Sequence, residues 1–266
     1  GLFDSRNEIS QGALEVAEVS SILSKLKSLE TFSNEVALMF DYPAKWMLDI
    51  QPQGKEWNYE KLCFEFYTTL RRLGLSIDII SSDHDISKYK LVVAPSLPVI
   101  PKNLLQSAKI SKTKLLFGPR SGSKTSEYQI PPKYPFNRDF KFIKSESLRD
   151  GASLKINMND KIYYSKNWRD IIECKGINKI EFSDGHPAYI HNNDYGYIAT
   201  WPTYELLKDL LINLTEKIGI KTTCLDENTR MRHTKDLTFA FNYGDEILDI
   251  SKMAPESKFI YGGSKI

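Results

Sequence analysis

The sequence predicts an α/β fold: a mainly parallel sheet covered by helices on both faces, followed by a small antiparallel β module. Two observations lead there. Short, wholly apolar runs alternate with longer stretches of helical periodicity and are joined by polar loops, the pattern of strands buried on both faces beneath crossover helices. From about residue 140 onward, short segments of alternating polarity separated by turn residues replace that texture, as antiparallel strands require.

Taken in order, "SQGALEVAEVSSILSKLKSLE" (10–30) places Leu14, Val16, Val19, Ile22, Leu23, Leu26 and Leu29 at largely helical spacing and predicts one amphipathic helix. "EVALMF" (35–40) reads as a buried strand, and the prolines and acids of "DYPAKWMLDIQPQ" after it read as a loop. "EWNYEKLCFEFYTTLRRL" (56–73) is helical, with Gly74 as its stop. "LSIDII" (75–80), "KLVVAP" (90–95) and "KLLFG" (114–118) are further strands, with a short helix within "SLPVIPKNLLQSAKIS". "SLKINMN", "KIYYS", "NKIEFSD" and "PAYIHN" are the short, partly antiparallel strands, and "YGYIATW" (195–201) is one more. "TYELLKDLLINLTEKIG" closes the alternation as a helix, with Thr203 as N-cap and Gly219 at its end. The last stretch, with turns at "YGDE" and "YGG", predicts the small β module. The arrangement is flavodoxin-like or Rossmann-like.

Composition narrows the function classes. The chain has 266 residues, 41% hydrophobic and 26% charged, which is ordinary globular composition. Lys+Arg 36 against Asp+Glu 34 gives a net charge of +2, too balanced for a field that favours nucleic acid or an anionic membrane. Cys63, Cys174 and Cys224 are far apart and odd in number, which fits neither a disulfide framework nor a C-x-x-C site and points to a reduced, cytoplasmic setting. No run approaches a membrane span, and "GLFDSRNEIS" has no basic region leading into an apolar one. The absence of an initiating Met suggests a fragment.

"GPRSGSKT" (118–125) tests the phosphate-binding reading. Gly118, Lys124 and Thr125 fall in P-loop register, but Ser123 stands where the second glycine belongs, and Pro131 and Pro132 interrupt the helix that should follow. The strand ends are where an open parallel sheet carries chemistry. Here they offer Asp41, Tyr42 and Trp46, then Pro95 and Ser96, then Arg120, Ser121 and Gly122. No serine or cysteine occupies a G-x-[SC]-x-G elbow, so a hydrolase or amidotransferase nucleophile is missing. His186 and His191 are an odd number of residues apart on a strand and face opposite sides, so no metal site is expected and no cofactor is implied. The aspartates around His84 read as turn formers, and Cys63 reads as a small buried hydrophobe. Asp41, Tyr42, Trp46, Arg120 and Ser121 therefore stand as crevice-rim or interface candidates, with Arg120 expected to pair with a carboxylate such as Asp41.

These motifs, in order and spacing, resemble a known family. "EVALMFDYPAKWMLDIQPQ", "YTTLRRLGLSIDII", "YKLVVAPSLPVI", "RSG", "YGYIATWP" and "LTFAFNYGDEILDI" are similar to the part of glycoside hydrolase family 42 β-galactosidases that follows the catalytic barrel. The resemblance implies three parts: a helix trailing from the barrel (1–33), an α/β trimerisation domain of flavodoxin-like or class I amidotransferase-like three-layer form (34–222), and a small C-terminal β-sandwich-like domain (223–266). It implies a homotrimer whose parent hydrolyses terminal β-galactosides with retention through two barrel glutamates. No catalytic residue carries over to this chain. The competing expectation is a free-standing small-molecule-binding module of amidotransferase-like form.

Overall fold

The computed structural model describes residues 1–26, 30, 32–52, 54–136, 138–235 and 237–246. They fall into two compact units, one of residues 1–33 with 232–239 and one of residues 34–231 with 240–246.

The larger unit is built on an eleven-stranded sheet. Its strands are β1 (Val36–Met39), β2 (Ile77–Ile80), β3 (Leu91–Ala94), β4 (Lys114–Phe117), β5 (Phe140–Ser147), β6 (Leu154–Met158), β7 (Lys161–Cys174), β8 (Asn178–Phe182), β9 (Pro187–His191), β10 (Tyr195–Ile198) and β11 (Thr200–Pro202). Strands β2, β1, β3, β4 and β10 are parallel neighbours in that order. Beyond β10 the sheet continues through β9, β8, β6 and β7 with antiparallel pairing, and β5 and β11 both pair with β7. The sheet is thus mixed, where the sequence reading expects a mainly parallel one. Connection length is the reason: Asn159 and Asp160, with φ of 51° and 60°, form a two-residue turn between β6 and β7, and such a loop joins antiparallel strands only.

The helices of this unit are α2 (Tyr42–Ile50), α3 (Tyr59–Arg72), α4 (Leu104–Ser111) and α5 (Tyr204–Lys217). The two-residue period of the parallel strands divides the core into two layers. Val36, Leu38, Leu91, Val93 and Leu116 pack with Leu48, Phe66, Leu70 and Leu211 of α2, α3 and α5. Ala37, Met39, Val92, Ala94, Leu115 and Phe117 pack on the other face with Leu104 and Ala108 of α4. Helices α3 and α5 follow the sequence reading, with Asn58 Oδ1 accepting from the Lys61 amide to start α3 and Gly74 (φ 72°) ending it. Thr203 stands at the N-cap of α5 without a side-chain cap bond.

Helix α2 departs from the sequence reading. The stretch taken for a loop is helical because Asp41 caps it, its carboxylate accepting from the Ala44 amide at 3.1 Å. Pro43 lies in the first turn, where its missing N–H costs nothing.

In the smaller unit, α1 (Gln11–Leu23) starts at Ser10, whose hydroxyl accepts from the Ala13 amide. The helix buries none of its side chains, and Leu14, Val16 and Val19 are exposed. Its expected continuation to residue 30 ends at Leu23, and residues 27–29 lie outside the described residues. β12 (Thr229–His233) and β13 (Thr238–Asn242), whose residues are divided between the two units, form a two-stranded sheet. The rest of the expected C-terminal β module, from residue 247, lies outside the described residues.

His191, at the end of β9, carries a pH consequence. Burial holds its imidazole below the usual value of 6.5, and the charges of Lys217 and Lys114 push the same way. The folded chain therefore binds fewer protons there than the unfolded chain, so this group lowers stability as pH falls below 6.5. We expect His191→Gln to lose less stability than the unmodified chain between about pH 7.5 and about pH 5.5, read by urea unfolding at each pH. Equal losses would exclude His191 as a contributor.

Candidate interface at the strand ends

At the end of β4 the chain turns through Gly118, Pro119, Arg120, Ser121 and Gly122. Gly118 is pressed against the end of β3, and a Cβ there would lie 2.0 Å from the Pro95 carbonyl oxygen. Arg120 has a φ of 64°, a left-handed conformation that a long side chain rarely adopts. Surrounding bonds hold it there. Its amide donates to Asp170 Oδ2 at 2.9 Å, Ser121 Oγ accepts from the Leu97 amide at 3.0 Å, and the Gly122 amide donates to the Leu97 carbonyl. Ser121 is therefore buried in the junction of two strand-end loops rather than displayed on a rim.

The Arg120 side chain turns inward and is only 1% exposed. Its Nη1 donates to the Pro52 carbonyl at 2.7 Å and its Nη2 to the Gln51 carbonyl at 2.8 Å. The guanidinium carbon lies 4.8 Å from the ring centre of Trp57 and 5.1 Å from that of Trp168, distances at which an aromatic face attracts a cation. Burial pushes the Arg120 pKa down to about 10, opposed by the Asp170 carboxylate, so the group stays charged at neutral pH. The expected pair between Arg120 and Asp41 is not formed. Asp41 is occupied elsewhere: one oxygen caps α2 and the other accepts from the Ser82 amide at 3.2 Å.

Asp170, in the middle of β7 and fully buried, collects the surrounding donors. Besides the Arg120 amide, it accepts from Tyr197 Oη at 2.8 Å, Ser145 Oγ at 2.6 Å and Trp168 Nε1 at 2.9 Å. Burial, reinforced by the Asp170 charge, drives the Tyr197 phenol far above its usual pKa and keeps it a donor. Sequence reading singles out neither Asp170 nor the tryptophans around Arg120, because their partners are scattered along the chain.

The outer face of α2 contrasts with this sealed interior. Ala44, Met47 and Leu48 point inward, while Tyr42, Trp46 and Ile50 recur every four residues on the solvent side, 60%, 57% and 67% exposed. Tyr42 and Trp46 lie 6.0 Å apart and Phe40 meets Tyr42 edge-on at 5.3 Å. Lys45 flanks the stripe and pairs with Asp49 at 2.6 Å. Trp46 thus sits on a helix, where sequence reading placed it in a loop. A run of large exposed aromatics is the composition of a contact surface.

The remaining candidates carry no chemistry of their own. Cys63 is buried and its thiol is pushed up to about 12 by desolvation, and Asp85 serves its turn by accepting from Ser87. Among the described residues no group of His, Cys, Asp and Glu could hold a metal ion. Two open clefts of about 520 and 530 Å³ lie along the antiparallel half of the sheet, away from the strand-end turn.

Residues 34–221, from just before β1 to just after α5, match the family model of the β-galactosidase trimerisation domain. The chain belongs to this family. Among the curated relatives, the β-galactosidase BgaA of a Thermus species is 36% identical over 263 residues, covering 96% of this chain and 40% of that protein. A β-galactosidase of Thermus thermophilus is 34% identical with the same coverage. The crystal structure of a β-galactosidase from the psychrophilic Marinomonas ef1 superposes with a TM-score of 0.84 at 30% identity, over 91% of this chain and 39% of that one. This trimerisation-domain chain spans about two fifths of the length of the relatives it matches. No helix among the described residues is long and apolar enough to cross a membrane.

Removal of the Asp170 carboxylate should leave the surrounding donors buried without an acceptor. We expect Asp170→Ala to lose at least about 3 kcal/mol in denaturant unfolding, and Asp170→Asn, which keeps one acceptor oxygen, to lose less. Equal losses for the two variants would contradict the hub role.

Proposed function

We propose that this chain is the non-catalytic oligomerisation portion of a β-galactosidase-type glycoside hydrolase, and that it assembles as a homotrimer through its α/β unit. The observation that carries the reading is the exposed stripe of Tyr42, Trp46 and Ile50 on a chain that belongs to a trimerisation-domain family. Closed threefold symmetry needs two different, complementary patches on each subunit, and the α2 stripe supplies one, with Trp46 as its aromatic anchor. Asp41 and Arg120 serve the contact indirectly, by fixing the two ends of α2, and Ser121 by tying the turn beneath it.

We read residues 34–222 as the trimerisation domain, residues 1–33 as a helix trailing from a barrel, and residues 223–266 as a C-terminal β domain. The framework is flavodoxin-like and amidotransferase-like. The family resemblance implies a parent enzyme that hydrolyses terminal β-D-galactosides with retention, and the named relatives are β-galactosidases. A small-molecule-binding module is disfavoured by the filling of the strand-end crevice with the Arg120 side chain, and by arginine at the centre of the turn where an elbow would carry serine or cysteine.

Sedimentation equilibrium should give three times the chain mass of 30.6 kDa, and Trp46→Glu should shift the chain toward monomer without loss of secondary structure. A wild-type chain that stays monomeric at tens of micromolar, or a Trp46→Glu variant that still assembles fully, removes this surface from the contact. The purified chain should not turn over a chromogenic β-galactoside. Turnover would overturn the non-catalytic reading.

A further inference from the structure

We infer that Arg120 is a latch for α2: a buried positioning residue that holds the helix in the pose displaying Tyr42, Trp46 and Ile50, and so couples the strand-end turn to the assembly surface. The inference rests on the proposed reading of α2 as a contact. Helix α2 has nine residues, too few to persist on local bonds alone. Its amino end is secured by Asp41, whose carboxylate accepts from the Ala44 amide. Its carboxyl end runs into Pro52, which cannot continue the helix as a donor. Among the described residues no other group donates to the carbonyls of Gln51 and Pro52 beyond it. The Arg120 guanidinium donates to both, at 2.8 and 2.7 Å, from 69 and 68 positions along the chain. A positive group at a helix carboxyl terminus also matches the helix dipole.

The latch is rigid on its own side. The two indole contacts, from Trp57 and Trp168, fix the plane of the guanidinium, and the Asp170 bond to the Arg120 amide fixes the backbone behind it. The flanking glycines leave the turn no room to shift: Gly118 abuts Pro95, and a Cβ on Gly122 would meet Phe136 and Pro135 at 3.1 and 3.2 Å. A G-x-[SC]-x-G turn of this strained kind displays a nucleophile outward. Here the central residue points inward, and the strain serves to aim a planar two-pronged donor at two carbonyls. Lysine cannot reproduce that fork.

Hydrogen exchange on the full chain tests the latch directly. In Arg120→Met, amides of residues 46–51 should exchange at least about tenfold faster, the scale of losing charge-assisted bonds. Amides of β1 and β3 should be unchanged, and Arg120→Lys should fall between. Unaltered exchange in α2 of a folded Arg120→Met overturns the inference. If that variant does not fold, nitrogen-detected NMR of the unmodified chain decides: separate, slowly exchanging Arg120 guanidinium signals support the latch, and one averaged, fast-exchanging signal overturns it. The Trp46→Glu sedimentation result separates the two ideas. Faster α2 exchange in Arg120→Met together with full assembly of Trp46→Glu keeps the latch and removes α2 from the contact.

Discussion

The buried carboxylate of Asp170 is the constraint on which the rest of the larger unit depends. It stands on β7, in the antiparallel half of the sheet, yet it accepts from Tyr197 on β10 and from the Arg120 amide after β4, both in the parallel half. A lone buried charge is costly, and here the cost is offset only because the surrounding donors arrive together. The two halves of the sheet are thereby held in one register relation. The Arg120 backbone keeps its left-handed turn, and the side chain of the same residue reaches the loop after α2. Sheet geometry, turn strain and helix position follow from one another through a few bonds.

The same chain of bonds packs the strand ends tightly among the described residues. In open parallel sheets the loops beyond the carboxyl ends diverge and leave a cleft. Here the loops after β3 and β4 are tied together by Ser121 and Leu97, and the space beneath α2 is filled by a guanidinium among indoles. Such packing makes a stiff platform, and a stiff platform lowers the ordering cost of association.

Much of the fold was legible in the sequence, for reasons that also mark where legibility stopped. β1, β3 and β4 announced themselves because strands buried on both faces must be continuously apolar, and α3 and α5 because one apolar face repeats every three to four residues. Helix α2 was missed because Pro43 and Asp41 look like loop residues until they are seen as first-turn proline and N-cap. The mixed character of the sheet was only half visible, since nothing local in "KIYYS" or "NWRDIIEC" states that they form one long strand pairing with three others. At the candidate interface, Trp46 stood among the rim candidates, and it is exposed on α2. Arg120 stood among the rim candidates with Asp41 as its expected partner, a pair the structure does not form. Its true partners are backbone carbonyls, which carry no side-chain signature.

Backbone acceptors create an asymmetry at this surface. A carboxylate partner would have tied Arg120 to one residue type, and its charge would have needed conserving wherever the arginine was kept. Carbonyl acceptors place no demand on the identity of residue 51 beyond a backbone oxygen at the right place, and at residue 52 proline itself serves as acceptor. The groups that hold the helix, Asp41, Asp170 and Arg120, are thereby separate from the groups that face outward, Tyr42, Trp46 and Ile50.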